Sequence, residues 1–363
     1  MATGHMKSWI KIGSFGMLGL LTLEVAARIE DALRFQAPLL GAYSINTVFE
    51  PSPYGRSGRP GARYAKWSFN SLGYRGPEPA PGRTNLLAFG ASETFGLYEQ
   101  PNGEYPRLLE QALNAPGAAR YNVINIAVPG ISIGRVDYLD HALQVSAARV
   151  VFVYPAPANY IGHEGAYCGQ VATPVPTDLG LSDRIRLAGK LSQLVKAHVP
   201  EPIMTRLRRF SIWLDTRNLS VTDRVPEATV DAYRRDLECV VEHVRQHGAE
   251  PILLTHATYF HGTAGPEDLA LLTAWRRFYP QLAEMGFLDL EERANAAVRQ
   301  VAAANAVQLI DVAQQMPRGP SFFADFVHFS DAGAARMAQI ITAALAANPT
   351  VLPAATAPAG GGR

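Results

Sequence analysis

Cysteine is nearly absent from this chain: Cys168 and Cys239 are the only two in 363 residues. A scaffold stapled by several disulfides is therefore excluded, leaving either one bridge, as suits an exported protein, or two buried thiols. Excess charge is absent too. With 33 Lys and Arg against 32 Asp and Glu, the formal charge is +1, which removes any electrostatic case for a nucleic-acid partner. No Gly-x-x-x-x-Gly-Lys phosphate cradle, dinucleotide fingerprint or internal repeat occurs, and no cofactor is implied. His243 and His247 are spaced for zinc on one helix face, but no Glu follows His243 in a His-Glu-x-x-His pattern and no third ligand is identifiable, so no metal is implied. Apolar runs of membrane-spanning length are missing as well: Ile12–Leu23 is short for a span and normal for a signal segment.

What is present is an alternation of strands and helices. Apolar runs at Asn85–Phe89, Asn122–Ile126, Val150–Tyr154, Pro251–Thr255 and Gln308–Asp311 read as buried strands. Helical patterns at Tyr105–Leu113, Ala228–His247, Glu291–Asn305 and Ala332–Ala347 lie between or after them. That order predicts an α/β protein with a parallel sheet covered on both faces. Nearly half the residues are hydrophobic, and about 300 of them suit one large domain.

Two short motifs carry chemistry. Phe89-Gly90-Ala91-Ser92-Glu93-Thr94 presents a serine on a small-residue turn at the end of the first strand, where open α/β sheets place their sites. Asp325-Phe326-Val327-His328 stands on a loop just before a helix capped by Ser330. A serine hydroxyl needs a base, and a histidine held by a carboxylate is the usual one. Taken singly, Ser92 could cap a helix and His328 could be structural; together they suggest acyl-ester chemistry. Thr94 replaces the second glycine of a Gly-x-Ser-x-Gly elbow, which disfavours the common α/β-hydrolase pattern.

With these motifs, and with Asn125 to Gly130 and Val151 to Asn159, the chain resembles the SGNH (GDSL-type) hydrolases over roughly residues 45–345. The resemblance implies a three-layer α/β/α sandwich with a flavodoxin-like sheet. It assigns Ser92, Asp325 and His328 as catalytic, and Ser92, Gly130 and Asn159 as donors of an oxyanion hole. Ala91 stands where the family has aspartate, and Pro157-Ala158-Asn159-Tyr160 where it has Gly-x-Asn-Asp. Asn70 to Gly76 is similar to a segment of membrane-linked bacterial members, which favours O-acetyl groups on a polysaccharide as substrate. Three alternatives stay open: an O-acetyltransferase, a long-chain lipase or thioesterase, and a non-catalytic carbohydrate-binding or assembly protein that keeps the fold.

The remaining segments set expectations about organisation. Residues 1–40 read as a tag remnant (Met1 to His5) followed by a signal or anchor, with membrane association through residues 7–27, or else by an amphipathic helix packed on the domain. The catalytic domain would then face the periplasm or cell exterior, anchored to the inner membrane. Residues 41–84 read as an extension packing on the core, 85–347 as the hydrolase domain, and 348–363 as a disordered tail. An insertion at about 160–224 should lie over or beside the site. Within it Arg184, Arg186, Lys190, Lys196, Arg206, Arg208 and Arg209 face few acidic neighbours, as in a solvated helix face or in a segment that lies on a membrane surface or grips an anionic polymer. His163, Glu164, His256 and His261 are further candidates for lining the pocket.

Overall fold

A computed structural model describes residues 2–114, 120–163, 165–177, 179–260, 265–349 and 352. Two small antiparallel hairpins come first, β1 (Phe49–Ser52) with β2 (Gly55–Gly58) and β3 (Arg63–Tyr64) with β4 (Trp67–Ser68). The central sheet follows: β5 (Thr84–Gly90), β6 (Tyr121–Asn125), β7 (Val150–Tyr154), β8 (Glu250–Leu254) and β9 (Gln308–Ile310). All its pairings are parallel, in the order β6-β5-β7-β8-β9. The order reverses beside β5, creating a crevice at the carboxyl ends of β5, β6 and β7.

Strand periodicity divides the core in two. Leu87, Phe89, Val151, Val153 and Leu253 point to one face, where helices Val136–Ser146, Glu227–Gln246 and Glu284–Ala304 cover them. Leu86, Ala88, Val150, Phe152 and Ile252 point to the other, under helices Tyr105–Leu113 and Asp331–Ala347. This is the expected three-layer sandwich. Helix Glu227–Gln246 shows why the sequence was readable here: Val230, Tyr233, Leu237, Val240, Val241 and Val244 form one buried stripe at helical spacing.

Other segments depart from expectation. Helix Glu284–Ala304 begins seven residues before the predicted Glu291. A helix at Pro266–Arg276 carried no sequence expectation. The insertion is largely helical, with Arg186–His198 and Glu201–Thr216 as its main elements. Three of its basic residues are less solitary than expected, two of them because their partners come from far away in sequence. Lys190 reaches Glu30 and Asp31, both at 2.9 Å, Arg186 lies 3.7 Å from Asp31, and Arg208 pairs with Glu201. Residues 2–35 form one helix, and among the described residues no helix is long and apolar enough to cross a membrane. Of the two readings of the cysteines, the bridge is the one found: Cys168 bonds Cys239. The expected tail lies almost wholly outside the described residues, as do Glu164 and His261.

Candidate active site

Ser92 stands just past the carboxyl end of β5 as the first residue of a one-turn helix, Ser92–Phe95. The alternative in which it caps that helix is not what is found. Ala91 occupies the N-cap, and the Ser92 hydroxyl donates to Glu93 Oε2 at 3.2 Å. The turn is tight because Gly90 has no side chain: a Cβ there would lie 2.2 Å from Thr94 Oγ1 and 2.7 Å from the Tyr154 carbonyl oxygen. Arg75, from the extension, closes the far end of the turn. Its guanidinium donates to the carbonyls of Phe95 and Gly96 and pairs with Glu104 at 3.1 Å, all out of solvent. The Asn70–Gly76 segment thus braces the element that presents Ser92.

Asp325 is aimed before His328 arrives. Its Oδ1 accepts the backbone N–H groups of Val327 and His328 at 3.0 and 2.9 Å, and His328 Nδ1 lies 2.8 Å from Oδ2. A carboxylate only accepts, so in neutral His328 the proton sits on Nδ1 and Nε2 keeps its lone pair. That Nε2 is buried without a hydrogen-bond partner. Burial alone would lower the pKa of His328. The bond to Asp325 and the charges of Glu93, Asp325 and Glu99 outweigh it and raise the pKa above the usual histidine value. The two motifs meet in space: the ring of Tyr98, six residues after Ser92, lies 5.4 Å from that of His328.

Gly130 follows β6 with φ of +80°, a conformation that favours glycine, and a Cβ there would meet nothing within 4 Å. Asn159 follows β7. Its Nδ2 donates to the Ile131 carbonyl at 2.8 Å, beside Gly130, and its Oδ1 accepts from Tyr279 at 3.4 Å. One N–H of the amide remains for a ligand, with its direction fixed by the other two bonds. Gly130 also lines a cleft of about 420 Å³, walled by Tyr54 and Arg56 from the first hairpin and by Tyr167, Thr173 and Val175 from the insertion. The start of the insertion therefore borders Gly130. Helix Glu201–Thr216 instead packs on helix Pro266–Arg276.

Beneath Ser92 lies a group of charges absent from the sequence reading apart from His256. Glu93 Oε1 is 3.4 Å from His256 Nε2, and His256 Nδ1 is 2.8 Å from Glu291 Oε2, with all three side chains buried. Burial disfavours both charged forms, yet the neighbours prevail. His256 and His328 bring Glu93 down to about 2, and Glu291 and Glu93 bring His256 up to about 10. The result is a buried Glu93–His256–Glu291 chain that touches the serine at one end. Asn295 holds the His256 backbone in place from both sides, at 2.7 and 2.9 Å. His256 therefore lies under the site and does not line its cleft.

Three further histidines of the sequence reading have partners of their own. His243 and His247 both contact Asp140, at 2.9 and 3.2 Å, and His163 stacks on Tyr167 with centroids 3.7 Å apart. His243 also neighbours Cys168 and Cys239, a trio with metal-ligand spacing whose sulfurs are occupied by each other.

No protein-family model matches the sequence, and no curated protein matches it. Among solved structures, the chain is similar to a lipase/acylhydrolase from Enterococcus faecalis at 16% identity, covering 72% of this chain and 95% of that one, TM-score 0.42. A putative lipolytic protein of the G-D-S-L family from Desulfitobacterium hafniense matches at 11% identity over 72% of this chain and 100% of that one, TM-score 0.42. An acetyl xylan esterase from Geobacillus stearothermophilus matches at 14% identity over 73% and 95%, TM-score 0.41.

Proposed function

We propose that this chain is a serine ester hydrolase of the SGNH type, with Ser92 as nucleophile, His328 as general base and Asp325 as its orienter. One observation carries the reading: Asp325 fixes His328 so that a buried, unpartnered Nε2 remains at the carboxyl edge of the sheet, beside the segment bearing Ser92. In the resting arrangement the serine hydroxyl rests on Glu93; before attack it exchanges that acceptor for Nε2, as catalytic hydrogen bonds often tighten only with substrate bound. Ser92 Oγ then attacks the ester carbonyl while its proton passes to His328. The backbone N–H groups of Ser92 and Gly130 and the free N–H of Asn159 receive the oxyanion. Collapse expels the alcohol, which takes the proton from His328. Water, deprotonated by the same imidazole, then attacks the acyl carbon, and collapse releases the acid as Ser92 Oγ takes the proton back from His328.

The substrate we propose is a short acyl ester, an O-acetyl group on a carbohydrate. Tyrosine rings and arginine donors along the cleft at Gly130 suit a sugar face and its hydroxyls. We also propose that the chain works outside the cytoplasm at the inner membrane. The disulfide and the exposed apolar side chains of the first helix support that location.

Fluorophosphonate labelling tests the reading. Label should map to Ser92 and vanish in Ser92→Ala and His328→Ala, with acetyl esters turned over faster than long-chain ones. A folded protein that neither takes the label nor hydrolyses an acetyl ester would leave a binding protein in its place. Loss of acetyl donor that accelerates with added sugar, beyond the rate of hydrolysis, would identify a transferase. Asn159→Ala should lower kcat about 10²–10³-fold by removing one oxyanion donor, measured by steady-state kinetics on the same ester.

A further inference from the structure

Helix Glu201–Thr216 is attached to the body by one edge. Ile212 is buried at 4% exposure, whereas Ile203, Leu207, Phe210 and Leu214 are 43–59% exposed. At about 100° per residue these four form a single stripe, roughly 180° from Ile212, so the apolar face points directly away from the protein. Monomeric proteins seldom leave such a stripe uncovered. Trp213, 57% exposed, borders it. On that same flank stand Arg206, Arg209 and Arg217, none with an ion pair or hydrogen bond among the described residues. The one unpaired acidic residue of the helix, Asp215, falls on the opposite flank.

The N-terminal helix Ala2–Phe35 repeats this inversion. It docks through polar groups: Glu24 accepts the first N–H groups of helix Arg186–His198 at 3.1 and 2.8 Å, and Glu30 and Asp31 hold Lys190. Its apolar residues Leu18, Leu21, Val25 and Ile29 are 46–60% exposed. A helix that binds its protein through charges and shows its apolar residues outward is built for an apolar environment.

We propose that helix Glu201–Thr216 lies in the plane of an anionic lipid surface, its Ile203–Leu214 stripe in the acyl boundary and its arginine flank on the headgroups. Apolar stripe, bordering tryptophan and unpaired arginines gathered on one flank are the components of an in-plane amphipathic helix. A second copy packed antiparallel on the stripe fits less well, because that two-fold would bring the arginine flanks of like charge together. The inference does not depend on the chemistry of Ser92.

The test uses the full chain carrying Leu207→Cys, labelled with an environment-sensitive fluorophore; both native cysteines are bridged and do not compete. With vesicles of phosphatidylglycerol and phosphatidylcholine the emission should shift to the blue and be quenched by brominated acyl chains. A label at Glu242→Cys, exposed on another helix, should not respond. Reversing both Arg206→Glu and Arg209→Glu should weaken the vesicle affinity of position 207 at least tenfold. Unchanged emission at 207 on vesicles that nevertheless sediment the protein would overturn the proposal and leave the first helix as the sole contact. Failure to sediment would overturn it as well. So would a blue shift without lipid that grows with protein concentration and accompanies dimers in ultracentrifugation, which identifies a second copy as the occupant.

Discussion

Asp325→Asn should lower kcat for a short acyl ester about 10⁴-fold while leaving KM within a few-fold of its original value. The carboxylate accepts two backbone N–H groups and faces His328 Nδ1 with both oxygens, so the loop geometry survives the change while the proton pattern does not. An asparagine amide turned toward Nδ1 donates to it and forces the imidazole proton onto Nε2. The ring then points a donor where it should offer a lone pair, and it cannot take the proton of Ser92. In the unmodified protein the acid limb of kcat/KM should lie above the usual histidine value, because the pKa of His328 is raised and the neutral ring is the active form. A variant with normal kcat would remove Asp325 and His328 from the mechanism. Circular dichroism and a preserved unfolding midpoint distinguish lost chemistry from lost fold.

The second large effect concerns stability. His256→Ala should cost about 3–5 kcal/mol in chemical denaturation, because Glu93 and Glu291 would stay buried without the cation between them. The pH dependence has a definite sign. His256 is raised to about 10 in the folded chain, so its contribution is complete below the unfolded histidine value near 6.5 and is lost as pH rises through about 10. Glu93 is lowered to about 2, so its contribution is complete above the ordinary carboxylate range and is lost as pH falls through about 2. Together they place the plateau of this chain's contribution between the ordinary glutamate and histidine values. A variant with an unchanged denaturation midpoint near pH 6 would mean that the buried charges reorganise or neutralise at little cost.

How much of this was written in the sequence follows from distance along the chain. Asp325 and His328 are three residues apart, and their pairing needs only a local turn. The Gly90-Ala91-Ser92 turn is likewise a local matter, as are the apolar strand runs that fixed the sheet. Glu93 was passed over because its partners, His256 and Glu291, come from distant segments. Glu291 did carry a signal. Counted from the true start at Glu284, it falls on the stripe of Phe287, Ala294 and Val298, an acid among buried apolar residues. A helix taken to start at Glu291 leaves out Phe287 and hides that position within the stripe. Arg186 and Lys190 follow the same rule, since the carboxylates that hold them lie in the first helix, some 155–160 residues earlier.

The bridge between Cys168 and Cys239 spans 71 residues and joins the segment just after Asn159 to helix Glu227–Gln246. Nearly the whole insertion hangs inside that covalent ring. A protease that severs any bond between the two cysteines therefore opens the ring without dividing the molecule, and the halves stay tethered where the catalytic loops begin. The result is a form of damage tolerance: this exposed region can be nicked while β7, Asn159 and the helix behind them keep their places.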